Sequence, residues 1–375
     1  MKAESQRPAR YIMLGGFLGA GKTTAVAALA RRLEKQGLSV GLITNDQSTG
    51  LVDSAMLRSH GFSVEEIAGG CFCCRFDSLN EAAERLTAAS RPDVFIAEPV
   101  GSCTDLVATV SYPLRRIYGR RFSIAPLSVM VDPARAERIL GLTAGRSFSD
   151  KVVYVYEKQL EEADFIVINK GDELNGEREH RLREALGKRF GRARIFTCSA
   201  RHGDGLEPWF EQVLTGSCSR GATMELDYDR YAAGEALLGW LNCTVRLRAD
   251  QAVDGNRLLL DLAGRMGNRL NHHGMEIAHL KMTLDSSDAG GSLAVVSLVG
   301  SGREPDLRES LLEMVSAGTL ILNLRAEGDP DLLKAITEEA LATAAAAAAG
   351  LNLEIEHLEK FRPARPVPTH RLTVA

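Results

Sequence analysis

The chain has 375 residues, 45% of them hydrophobic and 25% charged, with a formal net charge of −4. Single cores stop growing at about 250–300 residues, so two domains are expected, and the near-neutral balance argues against a nucleic-acid partner. The opening MKAESQRPARYIMLGG has no long apolar core and no run of 18 apolar residues follows, so the expectation is a cytoplasmic protein without a membrane span whose partners are small molecules and proteins.

Short Val- and Ile-rich runs alternate with amphipathic stretches from Arg10 to about Gly216. Expected strands are 11–14, 39–44, 93–98, 124–132, 164–169 and 193–198, with helices at 22–36, 78–89, 151–163 and 176–189. This alternation implies a doubly wound α/β domain with a mostly parallel sheet over residues 1–216. Residues 217–234 are rich in small and polar side chains and read as a linker. A smaller α+β domain is expected over 235–363: strand 240–248, helix 254–270, strands 276–284 and 292–299 around a Gly-rich turn, helix 306–316, strand 319–325, then a helix and a strand. Asp329, Pro330 and Gly350 delimit that last helix. The Pro-rich residues 364–375 read as an extended tail.

Directly after the first expected strand stands Gly16-Phe17-Leu18-Gly19-Ala20-Gly21-Lys22-Thr23, matching G-x-x-x-x-G-K-[ST]. Gly16, Gly19, Ala20 and Gly21 let backbone N–H groups curl round phosphate oxygens. Lys22 supplies a point charge, and Thr23, with Thr24 beside it, opens the helix and offers a hydroxyl to Mg²⁺. Asn169-Lys170-Gly171-Asp172 follows the apolar run DFIVI. A carboxylate at Asp172 can accept from guanine N1–H and N2–H₂, which adenine does not offer, and burying it unpaired costs on the order of 1–3 kcal/mol. Ser199-Ala200, after the next strand, completes the base site in this reading.

Two carboxylates stand at the ends of expected strands, where ligands of open α/β sheets gather. Asp46 is expected to act on Mg²⁺ or the attacking water, directly or through a water, with helix capping as the alternative. Glu98, followed by Pro99-Val100-Gly101, is expected to sense the γ-phosphate together with Gly101. With Lys22 these form the expected catalytic set.

Three of the seven cysteines fall in Gly69-Gly70-Cys71-Phe72-Cys73-Cys74. Thiols stay free in a reducing compartment, so the cluster points to metal or redox chemistry instead of disulfides. Three thiolates leave a divalent metal one open position, which suits handing it over as much as holding it. Adjacent Cys73 and Cys74 diverge in an extended strand, so convergence on one ion needs a turn, which Gly69-Gly70 permits, and Arg75 could add local positive charge. Small buried hydrophobes and a redox disulfide are the alternatives. Cys103, Cys198, Cys218 and Cys243 read as isolated core or linker residues. His272-His273 with His279 are a weaker metal candidate, and the basic run 114–121 reads as a solvated face, with contact to a partner or to a second subunit across the nucleotide as the alternative.

Taken together, GGFLGAGKTT, IAEPVG, NKGD and above all GGCFCC resemble, over roughly residues 10–215, the family of SIMIBI-class GTPases that includes CobW-like proteins, HypB and UreG. Asn45-Asp46-Gln47-Ser48-Thr49 departs from the N-E-F-G-E-like segment of the CobW-like branch and is closer to UreG and HypB. The resemblance implies a slow, Mg²⁺-dependent GTPase whose cycle accompanies delivery of a divalent metal, Zn²⁺ or Co²⁺ before nickel, held by Cys71, Cys73 and Cys74, to a client protein. A homodimer across the nucleotide is a further expectation. Two alternatives stay open: a nucleotide-gated binding module for a metalloenzyme or cobalamin-related client with incidental hydrolysis, and a constitutive thiol–zinc protein with a vestigial phosphate loop.

Overall fold

The computed structural model describes residues 8–47, 52–218, 223–286 and 293–373. Strand β1 (Ala9–Gly16) is apolar and buried, and the phosphate loop leads from it into helix α1 (Lys22–Lys35). Next come β2 (Val40–Asn45), α2 (Val52–Ser59), β3 (Val64–Ile67), α3 (Phe76–Ser90) and β4 (Val94–Glu98). A five-residue π-helix, Val107–Ser111, runs into α4 (Tyr112–Tyr118). Strands β5 (Phe122–Ile124) and β6 (Ser128–Val131), helices α5 (Pro133–Ile139) and α6 (Asp150–Glu161), strand β7 (Phe165–Ile168), helix α7 (Gly176–Arg189), strand β8 (Arg194–Thr197) and helix α8 (Leu206–Thr215) complete the unit.

Its strands form one parallel sheet in the order β3-β2-β4-β1-β6-β7-β8, with β5 also on β1. The single strand expected over 124–132 is two. Pro126 cannot donate to a ladder, so β5 pairs with Ala9–Tyr11 and β6 with Leu14–Gly16 farther along the same strand. Two clusters of buried side chains, one on each face of this sheet, supply most of its hydrophobic stabilisation.

Residues expected to be linker include helix α9 (Tyr228–Glu235), capped by Asp227, which accepts from the amides of Asp229 and Arg230 at 3.0 Å. The remaining chain forms β9 (Leu238–Val253), α10 (Gly255–His272), β10 (Glu276–Ser286), β11 (Leu293–Leu298), β12 (Asp306–Glu309), β13 (Val315–Glu327), α11 (Pro330–Ala347) and β14 (Leu351–Phe361). They build a separate antiparallel sheet, β12-β11-β10-β13-β9-β14, with α10 and α11 packed on its apolar face. The Gly-rich turn expected after β10 lies outside the described residues.

The helix expected at 306–316 is absent. Asp306–Glu309 is an edge strand on β11, and the Asn256 side chain binds both the amide and the carbonyl of Leu311 at 2.9 Å, fixing a non-helical turn. Leu312, 90% exposed, and Met314 show that the apolar spacing there does not gather on one buried face. Residues from Val367 to Leu372 lie extended over the first domain: the amide of Thr369 donates to the Cys73 carbonyl and that of Leu372 to the Ala108 carbonyl, both at 2.9 Å.

Candidate functional site: a phosphate-loop cavity beside a cysteine turn

A cavity of about 400 Å³ opens at the carboxyl ends of the parallel strands. The phosphate loop, Asn45, Asp46, Asp53, Glu98 and Gly101 line one side, and His279, Lys281, Val299 and Arg308 of the second sheet line the other. Arg135 ties the two sides together. It is buried between the rings of Phe17 and Phe148, and its guanidinium donates to the Leu18 carbonyl and to the carbonyls of Ile277 and Ala278, the latter at 2.8 Å.

Lys22 Nζ donates to the Gly16 carbonyl at 2.9 Å. Burial lowers its pKa, while Glu98 and Asp53 favour the charged form. Thr23 Oγ1 lies 2.9 Å from Asp53 Oδ1 and 3.0 Å from Glu98 Oε1. One hydroxyl has a single proton for two carboxylates. Burial and the neighbouring Asp53 push Glu98 up to about 7, and its Oε2 is buried without a hydrogen-bond partner among the described residues. Burial pushes Asp53 up too, but the Lys281 ammonium and the Thr23 hydroxyl more than offset this and hold it below the usual range. A hydroxyl with two carboxylates, one oxygen of them unpartnered, is an all-oxygen donor set that fits Mg²⁺.

Asp46 also lines the cavity, but its carboxylate rests on Arg325 Nη2 at 3.3 Å and accepts the Gln47 amide. Arg325 is fully buried on β13 and lies over the Trp240 ring at 4.0 Å. Burial raises the Asp46 pKa, against the pull of Arg325. Gly101 packs on the phosphate loop so closely that a Cβ there would lie 2.9 Å from the Leu18 nitrogen.

A narrow second recess contains Thr24, Asn169, Lys170, Asp172, Ser199, Arg201 and Asp306. Asn169 Nδ2 donates to the Ala20 carbonyl, and Asn169 Oδ1 accepts the Ala200 amide, both at 2.9 Å, so this side chain clamps the phosphate loop to the loop after β8. Lys170 pairs with buried Asp132 at 2.5 Å. Burial pushes Asp172 up, but the Ser199 hydroxyl and its own backbone amide hold it below the ordinary carboxylate value. Asp132 has the signal that singled out Asp46 and Glu98, a carboxylate ending a buried strand; nothing in the spacing marks Asp53, Lys281 or Arg325.

Cys71, Cys73 and Cys74 converge. Their sulfurs are 2.8 Å (71–73), 3.2 Å (71–74) and 3.7 Å (73–74) apart. A tetrahedral ion with Zn–S bonds of about 2.3 Å spaces its sulfurs at about 3.8 Å, so small adjustments admit one. Among the described residues this is the one group of three or more Cys, His, Asp or Glu side chains placed to hold a metal ion. Gly69 and Gly70 are left-handed, and the amides of Cys74 and Arg75 donate to the Cys71 carbonyl, closing the turn before α3. Arg75 donates to the Gly69 carbonyl at 3.2 Å.

Cys103 is a buried core residue, in the same apolar cluster as Cys71 and Cys73. The neighbouring thiols of Cys103, Cys73 and Cys74 hold Cys71 well below the usual thiol range. Cys198, Cys218 and Cys243 are buried core residues. His272 and His273 form a ring pair at the end of α10, 5.6 Å between centroids, whereas His279 is buried in the nucleotide cavity, where burial and nearby Lys281 lower its pKa. The basic run is largely a solvated face, with Arg116, Arg120 and Arg121 exposed and Arg121 paired with exposed Glu84, while half-buried Arg115 reaches the Cys218 carbonyl.

The sequence pattern of the CobW/HypB/UreG nucleotide-binding domain matches residues 10–197. The zinc chaperone CobW of a Sinorhizobium species is 27% identical over 208 residues, 48% of this chain and 56% of that protein. The zinc chaperone YjiA of Escherichia coli K12 is 25% identical over 203 residues, 52% and 59% of the two. The chain thus spans little more than half the length of these relatives. The crystal structure of Zn(II)-bound YjiA GTPase from E. coli aligns over 89% of this chain and 99% of its own at 16% identity, with a TM-score of 0.40. No helix among the described residues is long and apolar enough to cross a membrane. With the family's nucleotide-binding pattern covering half the chain and the phosphate loop in place on a parallel sheet, the chain belongs to the CobW/HypB/UreG family.

Proposed function

We propose that this protein binds GTP with Mg²⁺, hydrolyses it slowly, and couples the cycle to delivery of a divalent transition metal, zinc or cobalt before nickel, to a client protein. One observation carries the coupling. Asn45, which lines the nucleotide cavity next to Asp46, donates from Nδ2 to the Gly70 carbonyl at 2.7 Å and to the Ile67 carbonyl at 2.9 Å. The end of β2 is therefore bonded directly to the turn that gathers the cysteines.

Gly16, Gly19, Ala20 and Gly21 present the backbone to the phosphates, Lys22 neutralises them, and Asn169, Asp172, Ser199 and Ala200 read guanine. Thr23, Asp53 and Glu98 hold Mg²⁺, which supplies charge neutralisation on the phosphate oxygens. Glu98 and Gly101 register the γ-phosphate. Asp46 orients the attacking water, a role that requires leaving Arg325. Catalysis by positioning and charge alone gives unassisted rates of about 10⁻⁴–10⁻² s⁻¹. The zinc chaperone names of the relatives support the choice of metal. The homodimer across the nucleotide belongs to the same proposal.

Titration with fluorescent GTP, ATP and xanthine nucleotide analogues tests the base reading. The parent should prefer GTP over ATP by about tenfold or more, the equivalent of about one charge-assisted hydrogen bond from guanine to Asp172. Asp172→Asn should shift preference toward xanthine, and Lys22→Ala should depress binding or turnover with the fold intact. Equal affinity of the parent for ATP and GTP would contradict the assignment.

A further inference from the structure

Side chains alternate along β10: Leu280 and Met282 lie in the core of the second domain, whereas His279 and Lys281 face the nucleotide cavity. Fixed contacts hold this strand against the phosphate loop. Arg135 bonds the carbonyls of Leu18, Ile277 and Ala278 together. A Cβ on Gly19 would lie 2.5 Å from Val299 Cγ1 and 3.0 Å from the Ala278 carbonyl oxygen, so the two domains touch at the loop itself. On β13, Asn323 is the register partner of Lys281, and its Oδ1 accepts the Val52 amide at 3.0 Å, which fixes the start of α2 where Asp53 stands. Lys281 Nζ lies 2.6 Å from Asp53 Oδ1, and that oxygen lies 2.9 Å from Thr23 Oγ1, so the ammonium is two hydrogen bonds from the residue next to Lys22. Two buried polar atoms of the cavity have no hydrogen-bond partner among the described residues: His279 Nδ1 on the wall of the second domain, and Glu98 Oε2 on the wall of the first. Such orphans mark a chamber shaped for a polar ligand.

Resting on the GTPase reading, we propose that Lys281 is a catalytic residue supplied in cis by the C-terminal domain: it leaves Asp53 when that carboxylate turns to Mg²⁺, and donates to the γ-phosphate oxygens of GTP. Charge balance drives the exchange. An ammonium left without its carboxylate in a half-buried position is costly, and the triphosphate is the anion bound in the same cavity. A lysine suits the move, being a compact charge on a flexible stem. In hydrolysis the water oxygen bonds to the γ-phosphorus as the bond to the β–γ bridging oxygen breaks. GTP and water give GDP and dihydrogen phosphate, with both water protons ending on the phosphate. Lys281 keeps its own proton throughout and acts by offsetting the charge spread over the γ-phosphate oxygens in the transition state. With GDP that contact is absent, so the second domain distinguishes the two nucleotides through one side chain.

A GTP carrying an acyl group on its γ-phosphate tests this on the full chain without any variant, because a lysine amine beside the γ-phosphate attacks the acyl carbon and GTP leaves. With Mg²⁺ present, peptide mapping should find the acyl group on both Lys22 and Lys281, and excess GTP should suppress both. Acylation of Lys22 alone overturns the role of Lys281 and leaves the GTPase reading intact; acylation of neither lysine overturns both. Lys281→Met gives a second readout in binding. Losing the lysine eases Mg²⁺ entry equally for either nucleotide, so the ratio of affinities for a non-hydrolysable GTP analogue and for GDP isolates the γ-phosphate contact. That ratio should fall about tenfold, the equivalent of one charge-assisted hydrogen bond, and Lys281→Arg, which keeps the charge, should recover most of it. The parental ratio in Lys281→Met would overturn the proposal.

Discussion

Lys281 of the second sheet reaches both oxygens of Asp53, at 2.6 and 2.7 Å, and Asp53 in turn bonds the phosphate-loop hydroxyl of Thr23. The C-terminal domain thus places a cation on one of the carboxylates proposed to hold Mg²⁺. A lysine and Mg²⁺ both neutralise the same group, so they compete for it.

Lys281→Met should therefore lower the melting temperature of the nucleotide-free protein, because Asp53 loses its counter-charge at a cost on the order of 1–3 kcal/mol. Adding Mg²⁺ with GDP should restore more degrees in the variant than it adds to the parent, since the ion takes the place the lysine held. Thermal unfolding with and without nucleotide measures both. An equal increment in the two proteins would separate Asp53 from the metal.

The pair Lys170–Asp132 gives a pH dependence with a definite sign. Burial pushes Asp132 up, but Lys170, Arg135 and Arg303 outweigh it and hold the carboxyl at about 2. A depressed carboxyl contributes stability that is present above its unfolded value near 4 and lost as pH falls toward 2, here about 2 kcal/mol. Urea unfolding of the parent should weaken across that window, and Asp132→Asn should be weaker at pH 7 and flatter between pH 4 and 2. Parallel profiles would show that the pair carries no linkage.

The segment from Val367 to Leu372 lies on the cysteine turn through the Val367 contact to the Cys74 sulfur and the Thr369 contacts to the carbonyls of Cys73 and Cys74. His370 stands edge-on to Phe76 at 5.0 Å. Deleting residues 366–375 removes hydrogen bonds worth about 1 kcal/mol each. Alkylation of Cys74 and release of Zn²⁺ to a chromogenic chelator should then speed up by roughly tenfold. Unchanged rates would mean that this segment does not gate the site.

Much of the nucleotide site was legible because it is local. The glycines, Lys22 and Thr23 are contiguous, and the strand before and helix after them follow from apolar runs of the right length. The convergence of Cys71, Cys73 and Cys74 follows from one turn. What escaped the sequence comes from long-range folding. Lys281 and Arg325 stand 228 and 279 residues from their partners Asp53 and Asp46. The helix read over 306–316 failed for a similar reason, since an open edge on β11 and the Asn256 side chain overrode the local spacing. Strand β3, only four residues and mostly half-buried, left too weak a pattern to see.

The central claim is that nucleotide state and metal affinity are linked through the bond from Asn45 to Gly70. It is tested most directly by measuring Zn²⁺ affinity, by competition with a chelator, in the presence of Mg²⁺ with either GDP or a non-hydrolysable GTP analogue. About tenfold tighter binding with the GTP analogue, or about 1.4 kcal/mol of coupling, is expected, and Zn²⁺ must then raise affinity for that analogue over GDP by the same factor. Identical Zn²⁺ affinities in the two nucleotide states would contradict the account.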